Sequence, residues 1–373
     1  MAKRNSHPGT TNQRESKTFC RICEVHCGLR IETDPSGVLT HIAPDSDHPI
    51  SQGFICAKGT QFLTVANHPE RLLYPMRRRA DGSYERISWE DALSYFKERI
   101  RPILKQRGPH AIALYLGTPT IQNSLGSLAY FALARALGTR NLYSAGSQDN
   151  DSKIVAARLV HGSEWIQPIM DLEHADFALL VGTNPAVSRG TYMHLPRGTT
   201  AFDRFTERGG KIVIVDPRRT ESAERWGGHL PIRPGSDIYL LLTLINELRD
   251  LYQPNVLVIG MEKILHLAAD YPVERVSTLT DIPVEKLREL AESIREADRA
   301  TFFLSVGINQ GPFGTLSAIV MQALAYLTGN FDREGGLLFQ PWSVIGGAML
   351  YFKPQRSRIG QYLSNQADCP LES

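Results

Sequence analysis

The chain has 373 residues, room for two or three domains and a sizeable core. Its 41 Lys and Arg nearly balance 39 Asp and Glu, so it lacks the basic excess of a nucleic-acid footprint. Hydrophobic residues make up 42% and charged ones 21%, a soluble globular balance. No apolar run, neither Phe177–Val181 nor Phe302–Val306, nears the ~20 residues of a membrane span.

Met1 to Lys17 is polar and lacks the apolar stretch of a secretory signal. Lys3-Arg4 is not a twin-arginine pair, and Arg77-Arg78-Arg79 lies too far inside to be one. A disordered lead-in over residues 1–17 and a cytoplasmic location are expected, where thiols stay reduced. Residues 18–62 form a cysteine module. Three cysteines are spaced Cys20-x2-Cys23-x3-Cys27, and a fourth returns in Cys56-Ala57-Lys58-Gly59. Four thiolates, three from one tight loop, suit a four-iron cage with one sulfur per iron. A zinc site is the alternative, although the second C-x2-C knuckle that zinc favours is absent. Lys58 sets a cation beside the last ligand, and Gly59 allows close backbone approach. Residues 28–33 and 38–42 alternate around Asp34-Pro35-Ser36-Gly37, a hairpin signal.

Beyond the module, Ser88 caps a helix with acids in its first turn, and residues 111–116 read as a strand ending in Gly117-Thr118. A helix over 125–137 closes at Gly138. A β-α rhythm follows: strand 176–181, helix 200–207, strand 211–215, helices 238–248 and 284–296, strand 300–306 and helix 315–327. Alternating strands and helices predict an α/β fold, a doubly wound and mostly parallel sheet over residues 63–340 behind the small antiparallel module. Ligands in such folds sit at the C-terminal ends of strands. Four strands end in polar or Gly-rich loops: Gly117-Thr118, Gly182-Thr183-Asn184, Asp216-Pro217-Arg218-Arg219 and Gly307-Ile308-Asn309-Gln310-Gly311. Together they read as a nucleotide-type site for phosphates. The G-x-G-x-x-G fingerprint is missing, which disfavours ordinary NAD binding.

The motifs taken in order resemble one family. They are the cysteine set, Arg71-Leu72-Leu73-Tyr74-Pro75-Met76-Arg77, Ile87-Ser88-Trp89-Glu90-Asp91-Ala92, Gly182-Thr183-Asn184-Pro185 and Asp216-Pro217-Arg218-Arg219-Thr220. Arg233-Pro234-Gly235-Ser236-Asp237 and Gly329-Asn330-Phe331-Asp332-Arg333-Glu334-Gly335-Gly336 complete the series. The chain resembles the molybdopterin oxidoreductase superfamily, the dimethyl-sulfoxide-reductase-like enzymes with bis(molybdopterin guanine dinucleotide). The resemblance implies a 4Fe–4S cluster on Cys20, Cys23, Cys27 and Cys56, with Lys58 between cluster and pterin. It implies guanosine and phosphate contacts from Gly182, Thr183, Asn184, Asp216, Arg218, Arg219, Thr220, Arg233, Gly235 and Asp237, with Gly307 and Asn309 in the last loop. Backbone N–H groups and Arg suit phosphate, and an Asp carboxylate suits the guanine N–H edge.

In this family the protein ligand to molybdenum precedes a helix, here in residues 146–155, where no cysteine occurs. Registering the loop on residues 155–162 places Asp149 at the ligand position, a hard donor for a high-valent metal. Ser147 and Asp151 are alternatives, and Asp149 as a plain helix N-cap is another. Family members are usually much longer, with a C-terminal β-barrel domain that residues 341–373, including Cys369, do not provide. The implied activity is two-electron oxidation or reduction of a small-molecule substrate, relayed to an electron-transfer partner protein. A partner chain would supply the missing domain. The alternative is a truncated, non-catalytic remnant. Tungsten would use the same ligands as molybdenum. His26, His161, His194 and His229 read as loop or satisfied polar groups. Trp89, Trp165, Trp226 and Trp342 read as packing residues.

Overall fold

A computed structural model describes residues 14–117, 120, 122–164, 166–254 and 258–339. The expected tail over 341–373, with Cys369 and Trp342, lies outside the described residues, as do Thr118 and Trp165. The described residues divide into two compact units, one from 14–45 and 55–145, the other from 46–54 and 146–339.

The first unit begins with an antiparallel sheet of β1 (Arg14–Phe19), β2 (Gly28–Thr33) and β3 (Leu39–Pro44), in the order β1-β2-β3. The expected hairpin is β2–β3. The Asp34 carboxylate closes its turn by accepting the Ser36 and Val38 N–H groups, each at 2.9 Å. The expected lead-in is corrected at its end, because residues 14–17 pair with β2 as β1. Two short helices follow, α1 (Ala57–Thr60) and α2 (Phe62–Ala66), then a hairpin of β4 (Met76–Arg78) and β5 (Tyr84–Arg86). Helix α3 (Trp89–Arg107) starts at Ser88, whose hydroxyl accepts the Asp91 N–H at 3.0 Å. Strands β6 (Ala113–Leu116) and β7 (Asn141–Ser144) pair in parallel around α4 (Ser124–Leu137), which ends on left-handed Gly138. Trp89 departs from the packing role expected of it, being 68% exposed on a helix with no buried residue.

The second unit carries the main sheet. Strands β9 (Phe177–Val181), β10 (Lys211–Val215), β11 (Gly228–Leu230) and β12 (Ala300–Leu304) lie in the order β11-β10-β9-β12, all parallel. Every residue of β9 is buried because both faces of the sheet are covered. Phe177, Leu179 and Val181 enter one core with Phe302 and Leu304. Ala178 and Leu180 enter the opposite core with Ile212 and Ile214. The first core is closed by α10 (Asp237–Glu247), α11 (Met261–Ala269), α12 (Val273–Thr280), α13 (Val284–Glu296) and α15 (Gly314–Leu327). The second is closed by α8 (Thr200–Glu207), through Phe202 and Phe205, and by α9 (Glu221–Trp226). Trp226 stacks on Phe202 with ring centroids 4.7 Å apart. The architecture is the doubly wound α/β arrangement expected from the sequence. Strands β8 (Pro168–Met170) and β13 (Leu337–Phe339) form a separate antiparallel pair. Short helices α5 (Gly146–Asp149), α7 (Pro185–Ser188) and α14 (Val306–Asn309) and the longer α6 (Asp151–His161) carry the loops discussed next.

Candidate functional site

In the first unit the loop between β1 and β2 gathers three cysteines. It is closed by the Cys20 N–H donating to the Cys27 carbonyl at 2.8 Å, and left-handed His26 lets it turn back. Cys56 sits at the N-cap of α1. Cys20 and Cys27 are buried, and Cys23 and Cys56 are half-buried. Gly59 is required by a close approach, since a Cβ there would fall 2.7 Å from Ile55 Cγ1 and 3.7 Å from Cys20 Sγ. Burial, with added repulsion from Cys20, Cys23 and Cys56, pushes the Cys27 thiol up to about 12. Burial also raises Cys20 and Cys23, while Lys58 pulls both back. The four sulfurs therefore share one electrostatic neighbourhood, and metal would have to displace their protons. Among the described residues no three Cys, His, Asp or Glu side chains converge on a single-ion site. His26 hydrogen-bonds Gln122 and meets Phe19 edge-on.

In the second unit three of the expected loops leave the same edge of the main sheet, after β9, β10 and β12. The fourth expected loop, at Gly117, follows β6 and belongs to the first unit. Gly182 has φ +61°, and its Cβ would come 3.0 Å from the Ile308 nitrogen. The Gly307 N–H donates to the Gly182 carbonyl at 3.0 Å, and a Cβ on Gly307 would lie 2.8 Å from Gly182 Cα. These two glycines let the β9 and β12 loops touch. Thr183 is buried behind them.

Asn184 is tied to α9. Its Nδ2 donates to Glu221 Oε2 at 2.7 Å, and its Oδ1 accepts the Ser222 hydroxyl at 2.7 Å. Asp216 Oδ1 accepts the Arg218 N–H at 2.9 Å, and His229 Nε2 lies 2.8 Å from the Asp216 carbonyl. Thr220 caps α9 by accepting the Ala223 N–H at 3.2 Å, and Arg219 is exposed.

Two of the three arginines expected to meet phosphate are already engaged. Arg218 donates to Glu221 at 2.9 Å and draws its carboxyl down to about 2. Arg233 makes a two-pronged contact with Asp281 at 2.5 and 2.9 Å. Gly235, at φ +77°, turns the chain beside Pro312 into α10. Asp237, the first residue of α10, is 9% exposed. Burial pushes its carboxyl up to about 6, its own N–H opposes the shift, and Asp216 adds to it.

Asp149 ends the short helix α5, and the N-cap of α6 is Asn150, so the plain N-cap role considered for Asp149 falls to its neighbour. The Asn309 amide donates to the Asp149 carbonyl. Asp151 is pushed up by burial and then by Asp149. Ser147 is exposed. Lys153 stands 5.2 Å from the Tyr192 ring and 5.1 Å from the Phe303 ring. His161 Nε2 is 2.7 Å from Gln322 Oε1. Sequence reasoning missed Glu221, Asp281 and Asn150. An Arg and an acid at i,i+3 could have flagged Glu221. Asp281 is brought to Arg233 only by tertiary packing.

The unit therefore places Asn184, Asp216, Arg218, Asp237, Asp149 and Asn309 around the C-terminal ends of the main strands. That arrangement offers carboxylates and amides for N–H donors, and arginines for anions once their carboxylates release them.

Residues 71–367 match the family described as molybdopterin oxidoreductase, and residues 13–68 match the molybdopterin oxidoreductase Fe4S4 domain. The nitrate reductase of Symbiobacterium thermophilum is 27% identical over 91% of this chain and 46% of its own. The nitrate reductase of Synechocystis sp. is 30% identical over 89% of this chain and 47% of its own. The chain thus spans about half the length of the curated relatives it matches. The solved structure of acetylene hydratase from Pelobacter acetylenicus shares the fold, with a TM-score of 0.69 and 24% identity over 84% of this chain and 43% of its own.

Proposed function

The chain belongs to the molybdopterin oxidoreductase family and carries that family's Fe4S4 domain, and we propose from this that it serves electron transfer between a molybdenum centre and a 4Fe–4S cluster during two-electron chemistry on a small molecule. The observation that carries the reading is the match of residues 13–68, which contain Cys20, Cys23, Cys27 and Cys56, to the Fe4S4 domain. Cys20, Cys23, Cys27 and Cys56 would hold the cluster, and Lys58 would offset its negative charge. Bound molybdopterin would supply a metal that exchanges electron pairs with substrate and passes them on singly.

The chain's own residues would bind and orient that cofactor, in its guanine dinucleotide form. Asp216 and Asp237 would accept N–H groups of the base. Arg218, Arg219 and Arg233 would meet phosphate, which requires Glu221 and Asp281 to give up two of them. Thr183, Thr220 and the peptide N–H groups of Gly182, Gly235 and Gly307 would line the same edge. Asp149 would be the protein ligand to the metal.

The chain spans about half the length of these relatives, and a second reading is that its residues hold their share of the cofactor without turnover of their own. Expression with the cofactor-synthesis machinery, followed by molybdenum, released-pterin and guanine-nucleotide analysis, tests both. One molybdenum per chain with turnover supports the enzyme. Bound pterin without turnover supports the second reading. A chain free of pterin and metal contradicts both.

A further inference from the structure

Asn150 occupies the N-cap of α6, where an Asn side chain ordinarily accepts an N–H of the first turn. It makes no such bond. The residue is 6% exposed, and its Oδ1 is buried with no hydrogen-bond partner. Asn309, at the end of α14, is also 6% exposed, and its Oδ1 is likewise buried and unpartnered. Its Nδ2 donates to the Asp149 carbonyl, the oxygen of the peptide that joins Asp149 to Asn150. One hydrogen bond thus ties together the two segments that carry the orphaned oxygens. Buried amide oxygens without donors destabilise a folded chain, so two of them on adjoining segments call for a ligand. The remaining buried unpartnered oxygen among the described residues, Thr243 Oγ1, lies within the core helix α10.

We propose that Asn150 and Asn309 form a clamp for hydrogen-bond donors of the pterin, each Oδ1 accepting an N–H, with Asn309 also the positioning residue for the Asp149–Asn150 peptide. The proposal rests on the cofactor reading above. A pterin fits because its ring and amino nitrogens carry N–H donors at a planar edge. An oxyanion would set lone pairs against both amide oxygens. Asn150 keeps its side chain out of the helix cap because the bond it is built to make is to the ligand.

The test uses Asn150→Leu, which keeps the branched shape and removes the amide, together with Asn150→Ala and Asn150→Asp. Each is produced with the cofactor-synthesis machinery. Pterin retained per chain after gel filtration and the unfolding midpoint of the pterin-free chain are both measured. Asn150→Leu should raise the pterin-free midpoint, because an orphaned acceptor is removed, while cutting retained pterin about 5- to 10-fold. Asn150→Ala should show the same loss of pterin, and Asn150→Asp, which keeps an acceptor, should retain it. Asn309→Leu should lose pterin too and broaden the molybdenum(V) EPR signal as the Asp149 peptide loosens. A cap-only role gives the opposite pattern, a lowered midpoint with unchanged pterin, and overturns the clamp. Equal pterin in wild type and all variants overturns the clamp alone. A wild-type chain without pterin overturns the cofactor reading and the clamp with it.

Discussion

Asp237 provides a stability test with a definite sign. Its carboxyl lies in the first turn of α10, 9% exposed, and is pushed from an ordinary 3.8 up to about 6 by burial and by Asp216. Its own N–H lowers it, but less than burial raises it. A shift of about two pKa units corresponds to about 3 kcal/mol between the protonated and ionised forms. Because the folded state holds the proton more tightly, this stability is fully present below the unfolded value near 3.8. It is lost as pH rises through about 6. Asn at this position is neutral throughout and close in shape. Asp237→Asn should therefore be more stable than the parent by up to about 3 kcal/mol at pH 7.5, with the difference vanishing near pH 4. Urea denaturation of the pterin-free chain at the two pH values, read by tryptophan fluorescence, measures this. Equal stability at both values, or a parent more stable at pH 7.5, would show that the ionised carboxylate is matched in the fold and would refute the reasoning.

Three further substitutions probe the loops. Gly307→Ala would set a Cβ 2.8 Å from Gly182 Cα and 2.9 Å from its carbonyl oxygen, both backbone atoms. It should destabilise the fold by about 1–3 kcal/mol, read as a lower thermal midpoint. Glu221→Gln removes the charge that holds Arg218, so it should raise pterin retention, while Arg218→Ala should lower it about tenfold. No change with either variant would remove Arg218 from the phosphate site. Asp149→Ala should leave the thermal midpoint and the cluster signal unchanged, because the N-cap is Asn150, while abolishing the molybdenum EPR signal. A retained native signal would assign the ligand elsewhere.

Long periodic segments were legible from sequence to the residue. Helices Thr200–Glu207 and Val284–Glu296 and strand Lys211–Val215 fall where the pattern puts them. Their caps and apolar spacing are local properties of the chain. The strand expected over 300–306 stops at Leu304, because the polar Ser305 begins a helical turn over Val306–Asn309. Strands of three residues, such as Met76–Arg78 and Pro168–Met170, show no period and went unseen. Helices Met261–Ala269 and Val273–Thr280 were also missed, the first following an αL glycine, Gly260, and the second a Pro at its N-cap. At the site, residue types were legible and their partners were not. Arg233 reads as a free cation until folding brings Asp281 to it from 48 residues away. Asn150 reads as a cap, and only its buried, unpartnered oxygen distinguishes it.

Chemical analysis of anaerobically purified chain tests directly what the four thiols hold. About four iron and four inorganic sulfide per chain and a reduced-cluster EPR signal are expected, all lost in a Cys27→Ser variant. One zinc per chain, with no sulfide and no such signal, would contradict the cluster assignment.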